Sequence, residues 1–477
     1  MTAHTTHAGH AEGQDHHGAA HGPHHVNPRP VLPATPQALT ADLVDRITHP
    51  KLGGLFVVSG LLFLVGIAGV FLKVSGGYAD RNTWGFYAAV FAWVLSTGCS
   101  APILSVATRL TKGYWRKPLV RIAELFGATT ILLVLLYIPL MPAIPPVTSH
   151  VSFWVNWEGA PQNAILLSVL GLALCGIGYI FTSVRADAAA VGDQTGGRKG
   201  LAATLAGQWG GTPHQWKVMR QGLSYLASFY LMFVVFVHFL VSVELAITLV
   251  PGWRDPIFPA FHAVSGIQAG LASLILMLYA MRRWGGYKDY LVLDQFWNPA
   301  KLLMSFTMLW FYMWWSAFII FWYGRTPAEQ GVLLVTGFGP YLYVFVTAFI
   351  LNFALPLFML VWNPIRVSVP GPVVASVIIV IGSFFDRWRI YGGSFGTHLV
   401  DGQIKHEVPL DQLPIFRMPD VPDLMVLVGA LGGMIFLFML AARMVPVMSL
   451  WELTEGQLLT RTKMIGKNQV VIIGKPE

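Results

Sequence analysis

Ten times along this chain an apolar run returns that is long enough to cross a bilayer, for which about 20 residues suffice. The runs lie near 53–75, 84–109, 118–141, 164–185, 222–250, 257–281, 301–323, 338–361, 370–387 and 423–446. In hydrocarbon a backbone must satisfy its own hydrogen bonds, so each run is expected to be a helix. The fold class is therefore an all-α polytopic membrane protein of about ten transmembrane helices. Composition points the same way. Only 11% of the residues are charged, whereas a soluble domain carries roughly 25%.

The formal charge of +8 calls for no nucleic acid, because basic residues gather in cytoplasmic loops. With the N-terminus cytoplasmic, the inner loops carry Lys112, Arg116, Lys117, Arg185, Arg198, Lys199, Lys217, Arg220, Arg282, Arg283, Lys288 and Arg366. The first four outer loops carry only Arg81, Arg254 and Arg325. That bias predicts both termini in the cytoplasm. The last outer loop, about 388–422, is long enough for a small folded cap. Runs two to five and six to nine each start outside and cross four times, which permits two four-helix bundles flanked by runs one and ten.

Three regions follow: an N-terminal arm (1–50), a transmembrane domain (51–448) and a cytoplasmic tail (449–477). Residues 1–40 hold eight of the fifteen histidines and lack the pattern of a signal peptide. Disorder is the expectation there, with a metal-binding arm as the second reading. The two cysteines, Cys99 and Cys175, both lie in apolar runs without CxxC spacing. Neither an iron–sulfur cluster nor a covalent haem is expected in this chain, and the cysteines read as small core residues.

A charged group inside a bilayer costs about 2.5–3.5 kcal/mol on insertion scales, so each one needs a reason. Arg121 and Glu124 share a helix face near the inner surface. His238 lies near mid-membrane, with Ser242 as its i+4 neighbour. Glu244, His262, Asp386 and Arg387 lie toward the outer side. Arg121, Glu124, His238, Ser242, Glu244 and Asp386 are the candidates for a proton path. Ion pairing and bundle packing are the competing roles. His238 and His262 differ by about 10 Å in expected depth at 1.5 Å rise per residue, which argues against a haem held between them.

Four stretches carry a family resemblance. They are "YWRKPLVRIAELF" (114–126), "HFLVSVELAITLVPGW" (238–253), "NPAKLLMSFTMLWFYMWWSAFIIFWYGRTPAE" (298–329) and "IGSFFDRWRI" (381–390). In this order they resemble the NrfD/PsrC family of quinone-interacting membrane subunits, which carry no redox cofactor of their own. Ten spans rather than eight resemble the members found in alternative complex III, which has two such subunits. One has a histidine at its quinol site within a G-H-A-G stretch. Here "TGCSAP" (97–102) puts Cys99 there. The pattern Tyr312, Ser316, Phe318 is similar to the second subunit, while "PGWRDPIFP" leans toward the first.

The resemblance implies a cofactor-free subunit of a quinol-oxidising complex in a bacterial inner membrane, with menaquinol or ubiquinol as the substrate of the complex. It implies partners: a second NrfD-like subunit, a multihaem cytochrome c and an iron–sulfur subunit. Two alternatives stand beside it. One is the quinone-binding subunit of a molybdopterin oxidoreductase of polysulfide-reductase type. The other is a proton-coupled transporter, against which no matching pair of Gly/Pro-broken spans occurs.

Overall fold

The fold is that of a computed structural model describing residues 32–33, 35–48, 51–147, 154, 157–197, 200–398, 410, 412–465 and 468–473. The histidine-rich tract and the middle of the expected outer cap (399–409 and 411) lie outside the described residues.

Ten helical units follow in chain order. Helix one is Gly53–Ser75, helix two is Arg81–Cys99 continued by Ile103–Leu110, and helix three is Val120–Ala143. Helix four is Ala160–Gln194, helix five Pro213–Leu249, helix six Phe258–Arg283 and helix seven Asp294–Gly324. Helix eight is Leu342–Val361 and helix ten Val421–Met444. These are long and apolar enough to cross a membrane, with helix two qualifying as a pair bent by 42°. Helix nine, Pro370–Phe395, has 26 residues and so spans about 39 Å. Its second half carries Asp386, Arg387 and Arg389, and all three are buried.

Helices two to five form one bundle and helices six to nine a second, and the two meet where helices two and five face helices six and nine. Helices one and ten pack on each other and, through helix ten, against the first bundle. The reason is glycine. A Cβ on Gly66 would stand 2.4 Å from Gly429 Cα, and one on Gly432 would stand 2.5 Å from Leu62 Cβ. Small residues at a crossing let two backbones approach in lipid. Lys73, 2.7 Å from Asp423 and 3.2 Å from Asp420, ties the same pair at one end.

Local signals set the helix ends. Thr212 and Gln215 form a reciprocal capping box ahead of helix five, with Pro213 in the first turn. The α-helical part of helix five stops at Glu244, followed by a short 3-10 turn over Ile247–Leu249.

One expectation changes. Residues 36–48, placed in a disordered arm, form a helix (Pro36–Thr48). It buries Leu39 and Leu43, and Tyr290 donates to its Asp42 at 2.5 Å. The tail holds the helix Leu450–Leu459, then an antiparallel hairpin, Thr460–Ile465 with Asn468–Ile473. That hairpin is the one piece of β structure among the described residues. Of the outer cap, the first part continues helix nine to Phe395, and residues 412–420 carry no helix or strand.

Candidate functional site

At the junction of the bundles, His238 and His262 stand Nδ1 to Nδ1 at 2.8 Å. Both are fully buried. The expected gap in depth came from running helix five on to residue 250. Because its α-helix ends at Glu244, His238 lies six residues from that end. His262 lies four residues into helix six, so the two are nearly level. Gly266 makes room: a Cβ there would stand 2.3 Å from the His238 ring. Gly270, one turn on, does the same for helix two, where a Cβ would stand 2.5 Å from the carbonyl carbon of Ser100. Helix two meets it through a π-helical turn, Leu95–Cys99, of the kind that interrupts helices at functional sites.

The donor inventory of each group orients the resulting chain. Ser100 donates its hydroxyl proton to the Leu95 carbonyl at 3.0 Å. Its oxygen must then accept from His238 Nε2, 3.1 Å away. A neutral His238 with its proton on Nε2 accepts at Nδ1, so His262 donates there. His262 Nε2 in turn accepts from the Tyr391 hydroxyl at 2.7 Å. One set of tautomers therefore satisfies every group from Tyr391 through both rings to Ser100. The expectation that no haem sits between these histidines rested on unequal depth, which the structure corrects. The rings instead touch directly, whereas metal–nitrogen bonds of about 2 Å would set two axial nitrogens about 4 Å apart.

Arg387 braces the dyad from helix nine. It donates to Ser96 Oγ at 3.1 Å, Ser265 Oγ at 2.6 Å and the His262 carbonyl at 3.1 Å. Asp386 is shared: Arg389 holds it at 2.7 Å and Arg387 lies 3.6 Å away. Asp386 thus lies buried in an ion cluster, not at a surface.

A second cluster closes the opposite end of the first bundle. Arg109 reaches Glu124 at 3.1 Å and Glu452 at 3.0 Å, and Arg116 reaches Glu452 at 3.3 Å. Arg121 lies 3.1 Å from Glu124 and 2.8 Å from Asp187. Three guanidinium groups thus face three carboxylates, so each charge is compensated where isolated burial would be prohibitive. Glu124 also accepts from Ser183 at 2.8 Å and from Ser105 at 3.4 Å. Asp187, with Trp209, Arg220, Trp451 and Glu455, lines a cavity of about 560 Å³. That is ample for water.

Ser105 and Ser100 are five residues apart on helix two, about 7.5 Å at helical rise. A short gap therefore separates the ion cluster from the histidine chain. The other candidates lie off this line. Ser242 donates back to the Phe239 carbonyl at 2.8 Å rather than serving His238. Glu244 accepts from Trp154 Nε1 at 3.0 Å. Cys99 points its thiol at Thr129 Oγ1, 3.8 Å away, and its carbonyl accepts from Tyr230 at 2.7 Å.

Sequence reasoning passed over Ser100, Tyr391, Asp187, Arg109 and Glu452. Tyr391 had a signal, being i+4 from Arg387 and so on its face. Asp187 was lost by ending the fourth run at 185. Glu452 had none, since nothing in the sequence docks a tail on Arg109.

The family described as polysulphide reductase, NrfD, matches residues 74–395. No curated relative matches the chain significantly.

Proposed function

Because this chain belongs to the NrfD family, a group of membrane subunits of quinone-interacting oxidoreductase complexes, we propose that it is the second NrfD-like subunit of an alternative complex III and that it moves protons while its partners carry electrons. The single observation behind this reading is the buried chain Tyr391–His262–His238–Ser100, whose four members have matched donors and acceptors. Neutral imidazoles hydrogen-bonded in series pass protons by exchanging tautomers. Asp187 and its cavity are the inner mouth, and Glu124 with Ser105 is the relay toward Ser100, with water bridging the gap. Glu244, held by Trp154, stands as a second outlet on the outer side. The loop charges support an orientation with both termini in the cytoplasm. No redox centre is assigned to the chain itself. Haem c and iron–sulfur clusters belong to partner subunits, and menaquinol or ubiquinol is the substrate of the complex.

One feature favours alternative complex III over the polysulfide-reductase type: helices one and ten are additional to the two bundles. Cys99, where the first subunit of that complex has a quinol-site histidine, favours the second subunit over the first. Purification of the native complex separates the two. Co-purification of a multihaem cytochrome c, an iron–sulfur subunit and a second NrfD-like subunit is expected. A molybdopterin subunit in their place would establish the other type, and proton-coupled solute uptake by a partner-free chain would establish a transporter.

A narrower expectation concerns Cys99. Its thiol is buried in the core against a threonine hydroxyl, so Cys99→Ala should leave quinol oxidation by the whole complex nearly unchanged. Steady-state turnover with a saturating quinol checks this. A loss beyond tenfold, about 1.4 kcal/mol in barrier, would mean that the thiol serves a working quinol site.

A further inference from the structure

The inner ends of the two bundles hold their cations differently. In the first bundle Arg109, Arg116, Lys117 and Arg121 each have a carboxylate within 3.3 Å. At the inner end of the second bundle, Lys301 and Arg366 have none within salt-bridge distance among the described residues. Asp294 shares helix seven with Lys301 but lies seven residues earlier, about 10.5 Å along the axis. Lys301 is exposed, and its ammonium rests 4.3 Å from the centre of the Trp297 ring, one turn back on the same face. A ring face attracts a cation without neutralising its charge.

Arg366 ends the short turn Asn363–Arg366 that follows helix eight. Its Nη1 donates to the Leu360 carbonyl at 3.0 Å and to Met304 Sδ of helix seven at 3.3 Å, and its Nη2 donates to Asn363 Oδ1. One N–H of Nη2 is left over, beside three on Lys301. Met304 is i+3 from Lys301, so the two cations flank one corner where helix seven meets helix eight. Phe311 stacked on Phe353 at 4.2 Å closes the seam deeper in the membrane. Beside that seam Ser305, Met308 and Tyr312 continue the Lys301 face at i+4, i+7 and i+11, all exposed. On helix eight Phe358 and Val361 are exposed as well, with Trp362 at its inner end. A mostly apolar, lipid-facing strip therefore runs from two unneutralised cations toward mid-membrane.

We propose that this corner binds an anionic phospholipid of the inner leaflet, of the phosphatidylglycerol or cardiolipin class. Its phosphate oxygens accept from Lys301 Nζ and Arg366 Nη2, and its acyl chains lie along helices seven and eight. Charge complementarity carries the choice of occupant. Basic corners between spans on the cytoplasmic side suit such head groups, and a charge-assisted bond to phosphate supplies what no carboxylate supplies here. A zwitterionic lipid brings its own ammonium and offsets the two cations. A free phosphate ion would leave the apolar strip unused. The site rests on the membrane-spanning fold and the loop charges, and it is independent of which oxidoreductase the complex is.

The test places the intact complex in phosphatidylcholine nanodiscs with a phosphatidylglycerol probe that carries a diazirine in one acyl chain, followed by peptide mapping. Labelling is expected within residues 301–312 and 355–362. Unlabelled phosphatidylglycerol should suppress it, and an equal amount of phosphatidylethanolamine should not. Lys301→Gln changes an exposed side chain, so the complex should assemble, and labelling should fall about fivefold, the worth of one cation beside an anionic surface. Adding Arg366→Gln should bring the fall to about thirtyfold, and Lys301→Arg should keep labelling near the parent. Undiminished labelling in the assembled Lys301→Gln complex would overturn the proposal. Equal suppression by phosphatidylethanolamine would also overturn it, by showing an acyl groove that makes no use of the cations. Suppression by inorganic phosphate would put a soluble anion in place of the lipid. Absence of labelling, with Lys301 joined to a partner subunit's carboxylate by a carbodiimide, would give the corner to a protein and reject the lipid.

Discussion

Arg121→Ala should all but abolish accumulation of the protein. Arg121 is 1% exposed and stands between Glu124 and Asp187, at 3.1 and 2.8 Å. Glu124 keeps Arg109 as a partner, but Asp187 would retain only backbone and water contacts. Removing one member of a buried ion pair costs about 3–5 kcal/mol, a large share of the 5–15 kcal/mol typical of a folded domain. The amount in membranes is expected to fall at least tenfold, and any extracted remainder should melt well below the parent. Arg121→Lys keeps the charge without the two-way grip and should lie between them. Arg121→Ala at parental level and melting temperature would show that the cluster contributes little to stability.

Gly429→Leu should separate helices one and ten. A Cβ on Gly429 would fall 2.0 Å from Gly66 Cα, and no flexible side chain is present to give way. Overpacking a core that can adjust costs about 1–3 kcal/mol. Here backbone meets backbone, so the helices must move apart and lose the Lys73–Asp423 contact as well. The expected outcome is a two-bundle core whose first helix becomes sensitive to protease from the membrane surface. Blue-native electrophoresis together with limited proteolysis reads this directly. Unchanged migration and resistance would mean that the pair is not held by close glycine contact.

How much of this was legible from residues alone depends on whether the signal is local. The ten runs were readable because apolar length is a local property that lipid enforces. The two bundles followed from counting crossings, and Arg121 with Glu124 from i,i+3 spacing. The pairing of His238 with His262 was not readable. It depends on where helix five stops, and the apolar stretch continues for six residues beyond Glu244 without marking that stop. Glycine pairs such as Gly66 with Gly429 involve partners far apart in sequence, and a lone glycine in a greasy run does not name its partner. Asp187 and Glu452 fell outside the expected spans, where charge is unremarkable, and gained meaning only when the fourth helix ran on to Gln194 and the tail folded back. Glu244 shows the reverse. A carboxyl in a greasy run drew notice from sequence, yet in the fold it is held by the Trp154 indole rather than placed in the histidine chain.

The most direct test of proton movement through the histidine chain is the proton-to-electron ratio of the purified complex in sealed vesicles, with His238→Phe against the parent. Phenylalanine keeps the ring and its packing but removes both nitrogens, leaving Ser100 and His262 each short of a partner at about 1–3 kcal/mol, so the complex should still assemble. Quinol-driven electron transfer is expected within about twofold of the parent, roughly 0.4 kcal/mol in barrier, with the proton-to-electron ratio at least halved. An assembled His238→Phe complex with the parental ratio would contradict the account and leave the dyad as packing between two bundles.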